Sequence, residues 1–258
     1  MNPSSNKIAD LNPIERFNNR VSHYTRYRPD YPEEIFTFLE QELQLNPAMT
    51  LADIGSGTGL FSKHLLAKKY KVFCVEPNNE MRSYAEKLLG AYPGFISKNG
   101  TGEQTTLENQ SVDGIFVAQA FHWLNAEAAK KEFSRILKPG GRIVICWILA
   151  SQASRFLKKY EELRQAFAVN YKPVTRNDEE LLRRFFTPMK LSRKVFQFSN
   201  FLDFEALKGL LLSISFMPQP GETNYKEMIN ALKALFRRFS RNGFVEIKYN
   251  LPVYWNEN

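Results

Sequence analysis

The chain has few of the residues that build metal centres. Its 258 residues include two cysteines and three histidines. Both cysteines, Cys74 and Cys146, lie inside apolar runs that predict core strands, where a thiol behaves as a small hydrophobic side chain. No Cys/His spacing in the sequence resembles a zinc site. We therefore predict buried cysteines and no bound metal.

Long apolar runs are missing as well. No stretch reaches the ~18 uninterrupted apolar residues that a membrane-spanning helix needs. The N-terminus lacks the charged-then-apolar pattern of a secretory signal, and repeats are absent. A chain of this length, 43% hydrophobic, can bury a substantial core. We therefore expect a cytoplasmic protein whose single domain spans residues 1–258.

Charge is distributed unevenly along the chain. Residues 1–150 carry a net charge of +1 and residues 151–258 carry +7. A basic excess of this kind can attract acidic small molecules, nucleic acid or anionic lipid. Because the basic pairs are scattered among acids, we expect most of them on solvated helix faces. An anionic small molecule is thus favoured over nucleic acid, peripheral membrane contact stays open, and the chain can be a monomer or a homodimer.

An apolar run ends in three alternating glycines. Residues 51–59 read Leu-Ala-Asp-Ile-Gly-Ser-Gly-Thr-Gly, and a helical segment follows. Glycine accepts positive φ and has no side chain, so the backbone of such a turn can approach a ligand closely. The following helix directs free N–H groups and its positive dipole end to the same spot. We expect an anionic or carboxylate-bearing cofactor here.

The spacing of these glycines separates the cofactors that glycine turns bind. A dinucleotide site needs G-x-G-x-x-G, but Leu60 occupies the sixth position counted from Gly55. A P-loop needs Gly-Lys-Ser/Thr at its end, which Leu60 and Phe61 do not supply. The pattern that fits is acidic-x-G-x-G-x-G, with Asp53 as the acidic residue. At this point the chain resembles the class I S-adenosylmethionine-dependent methyltransferases.

The resemblance implies a cofactor site along the strand ends. A carboxylate beside the glycine turn would repel a pyrophosphate but suits methionine, which carries both an ammonium and a carboxylate. Residues 71–75 predict the second parallel strand, and Glu76 ends it at the ~20-residue spacing expected for a carboxylate that accepts ribose hydroxyls. A helix follows, with Asn78 or Asn79 as its N-cap. The implied cofactor contacts in this part are Asp53, Gly55, Ser56, Gly57, Gly59, Glu76, Pro77 and, near the adenine, Met81.

The turn at Thr101, Gly102 and Glu103 is the implied adenine contact. Many relatives carry an aspartate where Thr101 stands, so this chain departs from the commonest pattern. Two alternatives stay open. The Thr101 hydroxyl touches the base, or it bonds its own backbone while N–H groups near Gly102 and Glu103 recognise the ring.

Residues 111–123 predict a central strand that is apolar on both faces, as parallel strands between helix layers are. Its end should form the floor beneath the reactive methyl group, since ligands sit at the carboxyl ends of such strands. Its Ala-Phe-His-Trp run is the most family-specific segment. The resemblance implies that His122 faces the substrate as a catalytic residue; the alternative is a structural histidine. The implied cofactor contacts here are Gln119, Ala120 and Phe121, and Trp123 would line the substrate.

The remaining elements complete the predicted sheet. Residues 133–138 predict the end of a helix that the Pro-Gly-Gly at 139–141 stops, and residues 142–147 predict strand five. Trp147 leaves this strand at the ligand-facing end and would line the substrate. Strand six is predicted at 194–199, helices at 203–212 and 223–240, and the last strand at 243–249. In the resembling branch that last strand inserts antiparallel between strands five and six.

An aromatic segment precedes the core. Residues 24–32 match Y-x-x-Y-R-P-x-Y-P, which resembles the arm that folds over the cofactor in a small-molecule branch that includes trans-aconitate methyltransferase relatives. There Tyr24 would approach the sulfonium and act as a catalytic residue. Arg28 would approach the methionine carboxylate or the arm's own acidic residues. The predicted organisation is an arm and helix at 1–45, a cofactor-binding core at 46–150, a helical lid at 151–192 and C-terminal elements at 193–258.

These features predict an α/β fold: a Rossmann-like, doubly wound, seven-stranded and mostly parallel sheet. The implied reaction is an in-line methyl transfer from S-adenosylmethionine to an oxygen of a small carboxylic or hydroxylic acceptor, which leaves S-adenosylhomocysteine. A carboxylate acceptor needs no base, whereas a hydroxyl would lose a proton, with help from His122 or Tyr24. Two alternatives remain: a catalytically silent cofactor-binding or RNA-associated module, and a nicotinamide-dependent oxidoreductase, which Leu60 disfavours.

Overall fold

A parallel five-stranded sheet forms the centre of the molecule. The computed structural model describes residues 26–151, 153–169 and 178–257. Five strands lie side by side in the order β3-β2-β1-β4-β5, and all neighbours are parallel. They are β1 (Thr50–Ile54), β2 (Lys71–Val75), β3 (Phe95–Lys98), β4 (Val112–Ala118) and β5 (Leu137–Cys146). The strand order reverses between β1 and β4, which places a crevice beyond the ends of these two strands.

Three C-terminal strands extend the sheet beyond β5, and the last of them runs in the opposite direction. They are β6 (Leu149–Ala150), β7 (Leu191–Leu202) and β8 (Val245–Asn256). Strand β8 is antiparallel to both neighbours and lies between β5 and β7. The short β6 also pairs with β8 and adds an eighth strand to the seven expected. The predicted mixed sheet with an inserted antiparallel last strand is confirmed.

Helices cover both faces of the sheet. One face packs against α1 (Glu33–Glu42), α2 (Ser62–Ala67), α3 (Asn79–Leu89), α5 (Arg155–Phe167), α7 (Phe204–Leu212) and α8 (Tyr225–Phe239). The other face packs against α4 (Ala126–Ile136) and α6 (Glu179–Phe186). Central strands are therefore apolar on both sides, and Leu51 and Ile54 of β1 are fully buried. Asn78 caps α3, since its side chain accepts a hydrogen bond from the Met81 N–H at 2.9 Å.

Two boundaries differ from those predicted. Helix α4 ends at Ile136 and β5 begins at once with Leu137, so the Pro-Gly-Gly expected to form a loop lies within the strand. Gly140 has φ +76°, and the pairing of β4 with β5 shifts between Val112 and Gly114. This bulge lets the strand continue through residues that usually end an element. Strand β8 continues to Asn256 rather than ending at residue 249, and its residues from Leu251 onward are buried on both sides.

The segment predicted as a helical lid divides between the two faces. Helix α5 packs its apolar side near β8, where Leu157 and Tyr160 join the same core as Ile247. Helix α6 packs on the other face, where the ring of Phe185 lies 5.9 Å from Phe133 and 4.8 Å from Phe121. Residues 152 and 170–177 of the predicted lid lie outside the described residues.

Candidate functional site

Two pockets open beside each other at the carboxyl ends of β1 and β4. Helix α5 lines the first pocket, called here the α5 pocket, and the start of α3 lines the second, the α3 pocket. Both pockets are lined by Gly55, Gly57, Ala118 and Gln119, so the two pockets adjoin. Together they are called the groove. This is the crevice in which open parallel sheets bind their ligands.

The glycine turn after β1 forms the wall between the pockets. Gly55, Gly57 and Gly59 have φ values of +70°, +57° and +81°, which side chains rarely tolerate. A Cβ atom on Gly55 would lie 2.5 Å from Cβ of Ala120, so the turn also needs glycine for close approach to the end of β4. A Cβ atom on Gly59 would lie 2.3 Å from Cδ1 of Leu89. Gly59 therefore lets α3 pack against the turn, and it lines neither pocket in the described part of the chain.

Buried polar atoms of the turn face the α5 pocket. Asp53 is 1% exposed, and one carboxylate oxygen accepts a hydrogen bond from the Ser62 hydroxyl at 2.5 Å. Among the described residues, its Oδ1 atom and the hydroxyls of Ser56 and Thr58 have no partner. Buried polar groups are normally hydrogen-bonded, so these atoms fit a ligand that brings polar groups of its own. Burial raises the pKa of Asp53 to about 7, with a further contribution from the charge of Glu76.

Glu76 at the end of β2 lines the α3 pocket. Its Oε2 atom accepts from the Gly57 N–H at 2.9 Å, and Oε1 accepts from the Asn78 N–H at 2.8 Å. Burial raises the pKa of Glu76, while these two bonds and the charge of Arg82 oppose the shift. The backbone thus fixes the carboxylate in place. Each oxygen keeps a second lone pair, which can accept from a ligand hydroxyl.

The Thr101 turn forms another wall of the α3 pocket. The Thr101 hydroxyl oxygen accepts from the Glu103 N–H at 3.3 Å and from the Gln104 N–H at 3.2 Å. Thr101 therefore bonds its own turn, one of the two alternatives for this residue, and it still lines the pocket. The predicted residues that line this pocket with it are Pro77, Met81, Gly102, Glu103, Ala120 and Trp123.

Gln119 lies where the two pockets meet. It follows β4 directly, has φ +63°, and its side-chain amide donates to the Ile148 carbonyl at 3.3 Å. A residue with this backbone conformation outside glycine is uncommon and is often found at functional sites. The bond to Ile148 ties the floor of the groove to the segment after β5.

Phe121 and His122 of the Ala-Phe-His-Trp run do not line the groove, unlike Ala120 and Trp123. Phe121, His122 and Trp123 form a single 3₁₀ turn, so their side chains point in different directions. Phe121 is 2% exposed and packs against Phe185. Trp147 is fully buried, and its indole N–H donates to Nδ1 of His122 at 3.2 Å. In the described part of the chain, neither pocket is lined by Phe121, His122 or Trp147.

The described end of the predicted arm reaches the α5 pocket. Arg28 lines it and donates to the Ser213 carbonyl at 3.4 Å. The Asp30 side chain binds two residues of helix α2. One carboxylate oxygen lies 2.5 Å from Nζ of Lys63, and the other lies 2.8 Å from Nε2 of His64. Hydrogen bonds to His64 and Lys63 hold the pKa of Asp30 at about 2, despite the opposing effect of burial. Tyr24 lies outside the described residues.

Three polar residues that the chain after β5 contributes to the α5 pocket were not predicted from the sequence. Tyr160 and Arg164 lie four residues apart on α5 and therefore on one face of that helix, and Tyr249 comes from β8. The Tyr-x-x-x-Arg spacing is a signal that could have drawn attention to the first two. Tyr249 had no such signal, because its approach depends on where β8 enters the sheet.

The described ranges contain neither a membrane-spanning helix nor a candidate metal site. No helix there is long and apolar enough to cross a membrane. Across residues 26–151, 153–169 and 178–257, no group of three or more His, Cys, Asp or Glu side chains could hold a metal ion.

Comparison with known sequences identifies the core. Residues 52–145 match a family model described as "Methyltransferase domain". An uncharacterized methyltransferase of Mycobacterium tuberculosis is 30% identical over 213 residues, which are 82% of this chain and 82% of that protein. An uncharacterized methyltransferase-like protein of Schizosaccharomyces pombe is 27% identical over 225 residues, or 87% of this chain and 86% of that protein.

Solved structures share the fold. A "putative type II methyltransferase" from Anaeromyxobacter dehalogenans superposes with a TM-score of 0.65 at 21% identity, covering 89% of this chain and 97% of that one. A "putative methyltransferase from antibiotic biosynthesis pathway" of Anabaena variabilis gives 0.62 at 22% identity, covering 91% and 100%. The solved structures show the fold, and the sequence relatives establish that the chain belongs to the class I S-adenosylmethionine-dependent methyltransferases.

Proposed function

We propose that this methyltransferase transfers the methyl group of S-adenosylmethionine to an oxygen of a small acceptor that carries a carboxylate or a hydroxyl. The observation that carries the proposal is the α5 pocket. It continues the cofactor groove past the glycine turn and combines apolar walls with arginine and tyrosine side chains. Such a cavity suits a small molecule with an anionic end.

The cofactor would lie along the whole groove. Its adenosine would occupy the α3 pocket, with the ribose hydroxyls bound by Glu76 and the base beside Thr101 and Met81. Its methionine end would pass the glycine turn toward Asp53, whose buried carboxylate complements an ammonium group. Arg28 would then bind the methionine carboxylate. This arrangement gives the partnerless Asp53 oxygen a partner.

Arg164 and Tyr160 would bind the polar end of the acceptor. The Tyr160 hydroxyl and Nε of Arg164 are buried and lack a hydrogen-bond partner among the described residues, although Nη1 of Arg164 binds Glu161 at 2.6 Å. Burial raises the pKa of Tyr160 to about 12, against the opposing charges of Arg164 and Arg28. Tyr160 is therefore a hydrogen-bond donor at neutral pH. A donor beside a guanidinium favours an anionic oxygen.

The larger apolar side chains that the chain after β5 supplies line much of the rest of the α5 pocket. They come from four parts of the fold that meet there: the segment after β5, α5, α7 with the residues that follow it, and β8. They are Ile148, Leu157, Leu210, Ile214 and Ile247. The acceptor would therefore combine a polar end with an apolar body.

The protein's contribution to the reaction is chiefly positional. The cofactor supplies an electrophilic methyl group on a sulfonium. Methyl transfer breaks the carbon–sulfur bond, whose electron pair stays on sulfur, and forms a carbon–oxygen bond with a lone pair of the acceptor. Holding donor and acceptor in line can supply ~7–11 kcal/mol of barrier reduction. A hydroxyl acceptor would also need a base, for which Tyr24 and His122 were the expected candidates, at a typical gain of about 10² to 10⁴ in rate.

Nucleic acid fits the basic side chains less well. Several basic side chains of the C-terminal part pair with acidic neighbours: Arg193 with Glu179, and Lys208 with Glu205. Exposed pairs of this kind behave as solvated surface rather than as a phosphate-binding track. Binding to RNA that weakens steeply with salt, without turnover of any small molecule, would favour the RNA-associated alternative instead.

The proposal is tested by incubating the protein with S-adenosylmethionine and fractionated metabolite extract. The measurements are release of S-adenosylhomocysteine and a product one methyl group heavier than its precursor. We expect the active fraction to contain an organic acid or alcohol that gains an ester or ether methyl group. Methylation exclusively at nitrogen or carbon, or no release from any fraction by a protein that binds the cofactor, would reject this function.

A further inference from the structure

His122 and Trp147 form a buried hydrogen bond that bears on the chemistry of the site. Trp147 follows β5 directly and is fully buried. Its ring meets Phe121 edge-on at 6.3 Å and Tyr254 at 6.1 Å, so the indole is held from both sides. From this fixed position its N–H donates to Nδ1 of His122 at 3.2 Å.

The donor in this bond has only one chemical role. An indole nitrogen can donate a hydrogen bond but cannot accept one, so the Nδ1 atom of His122 must offer its lone pair. A neutral imidazole with an unprotonated Nδ1 carries its proton on Nε2. We infer that Trp147 is a positioning residue that fixes His122 as the Nε2–H tautomer, so that neither ring nitrogen of His122 is available as a base.

The Nε2–H tautomer of His122 narrows the chemical class of the methyl acceptor, an inference that rests on the proposed function. A general base needs an available lone pair, but Nε2 carries a proton and the Nδ1 lone pair is engaged by the indole. Protonation at Nδ1 would set two N–H groups against each other. With neither nitrogen of His122 available as a base, the favoured acceptor is a carboxylate, since it has no proton to lose. Its oxygen supplies the electron pair for the new bond to carbon, the old pair stays on sulfur, and no proton moves.

The experiment is a long-range ¹⁵N–¹H correlation spectrum of the protein labelled at its histidine side chains, recorded without cofactor or acceptor near pH 7.5. The chain has three histidines, and the signals of His122 are identified by their loss from the spectrum of His122→Asn. We expect the Nδ1 signal of His122 at the position of an unprotonated imidazole nitrogen and Nε2 at that of an N–H nitrogen. Trp147→Phe should shift both signals toward the average of two tautomers. A protonated Nδ1 in the wild type, or unchanged signals in Trp147→Phe, would overturn the inference.

A second measurement covers the case in which Trp147→Phe does not fold. The indole N–H proton of Trp147 is one of three in the chain and can be followed in variants of the partly exposed His122. His122→Asn places an amide oxygen near Nδ1 and should keep that proton protected from exchange, whereas His122→Leu should expose it. Equal protection in both variants would refute the bond. Neither spectrum requires turnover, so a failure of the proposed function would leave this result unaffected.

Discussion

The carboxylate of Glu76 accepts a hydrogen bond from the backbone N–H of Gly57 at 2.9 Å, which joins the end of β2 to the turn after β1. The same carboxylate accepts from the Asn78 N–H at 2.8 Å, at the start of α3. One side chain thus holds together three elements that surround the α3 pocket. Because the carboxylate is already fixed by these two bonds, its remaining lone pairs have set directions before a ligand binds.

Replacing Glu76 should weaken cofactor binding. Glu76→Ala should reduce affinity for S-adenosylhomocysteine by roughly 1.5–3 kcal/mol for each charged hydrogen bond lost to the ribose. Isothermal titration calorimetry measures this directly. Glu108→Gln is the control, because Glu108 is exposed and lines neither pocket. Unchanged affinity in Glu76→Ala would remove Glu76 from the ribose site.

The buried carboxylate of Asp53 should make stability depend on pH. Burial raises the pKa of Asp53 from 3.8 to about 7, so the folded protein holds a proton that the unfolded chain releases above pH 4. This group's contribution to the free energy of unfolding therefore falls as pH rises from about 4 to about 7, and it is constant above that window. The slope is on the order of 1.4 kcal/mol per pH unit.

Asp53→Asn removes this titration. Urea denaturation of wild type and variant between pH 4.5 and 8 should show the variant gaining stability relative to wild type up to pH 7. Added S-adenosylhomocysteine should lessen that gain, since its ammonium favours the ionised carboxylate of the wild type. A difference between the two proteins that does not change with pH would contradict the prediction.

The contacts of Asp30 should matter more for binding than for stability. Asp30 joins Lys63 and His64 on α2, and its neighbours in sequence, Arg28 and Tyr31, line the α5 pocket. Because the Asp30 side chain is half exposed, Asp30→Asn should cost only about 0.5–1 kcal/mol of stability. Affinity for S-adenosylhomocysteine should fall several-fold.

The pH dependence of this contact has the opposite sign to that of Asp53. Its pKa is lowered to about 2, so the stabilisation is complete above pH 4 and is lost as pH falls toward 2. Lys63→Met, which removes one of the two partners, should give an intermediate loss of affinity. Full cofactor affinity in Asp30→Asn would show that the contact does not position the pocket.

Tyr160 should contribute to acceptor binding but not to folding. Its hydroxyl has no hydrogen-bond partner among the described residues, so Tyr160→Phe should leave the free energy of unfolding unchanged or slightly raised. The KM for the acceptor should rise about tenfold, the value of one hydrogen bond to a charged group, with cofactor affinity unchanged. Tyr225→Phe on α8, outside both pockets, serves as control. A rise in the Kd of S-adenosylhomocysteine would instead place Tyr160 at the methionine end.

The cofactor half of the groove was predictable because its signals are local. Strands β1 and β2 each have an acidic residue next to their last position, and parallel strands end at the same edge, so Asp53 and Glu76 had to converge. The acceptor half depends on long-range packing. Tyr160 follows the apolar periodicity of α5, and only the position of β8 against that helix turns its hydroxyl toward the pocket.

Local signals also misled at two places. The Pro-Gly-Gly after α4 has the composition of a loop, yet the ladder with β4 continues through it by a bulge. Trp147 leaves β5 at the ligand-facing end, but Phe121 and Tyr254 close over its ring and bury it. The position of a strand determines where its last residue lies, but packing by neighbouring side chains determines which side chains reach the cavity.

The wall shared by the two pockets consists mostly of backbone and small side chains, with Gly55, Gly57 and Ala118 in both linings. Most of the larger side chains that distinguish the α5 pocket come from the chain after β5. Substitutions in α5, α7 or β8 can therefore alter which molecule is methylated while leaving the donor site intact. In the proposed binding mode, the chain after β5 can change to accept different molecules while the residues that bind the cofactor stay the same.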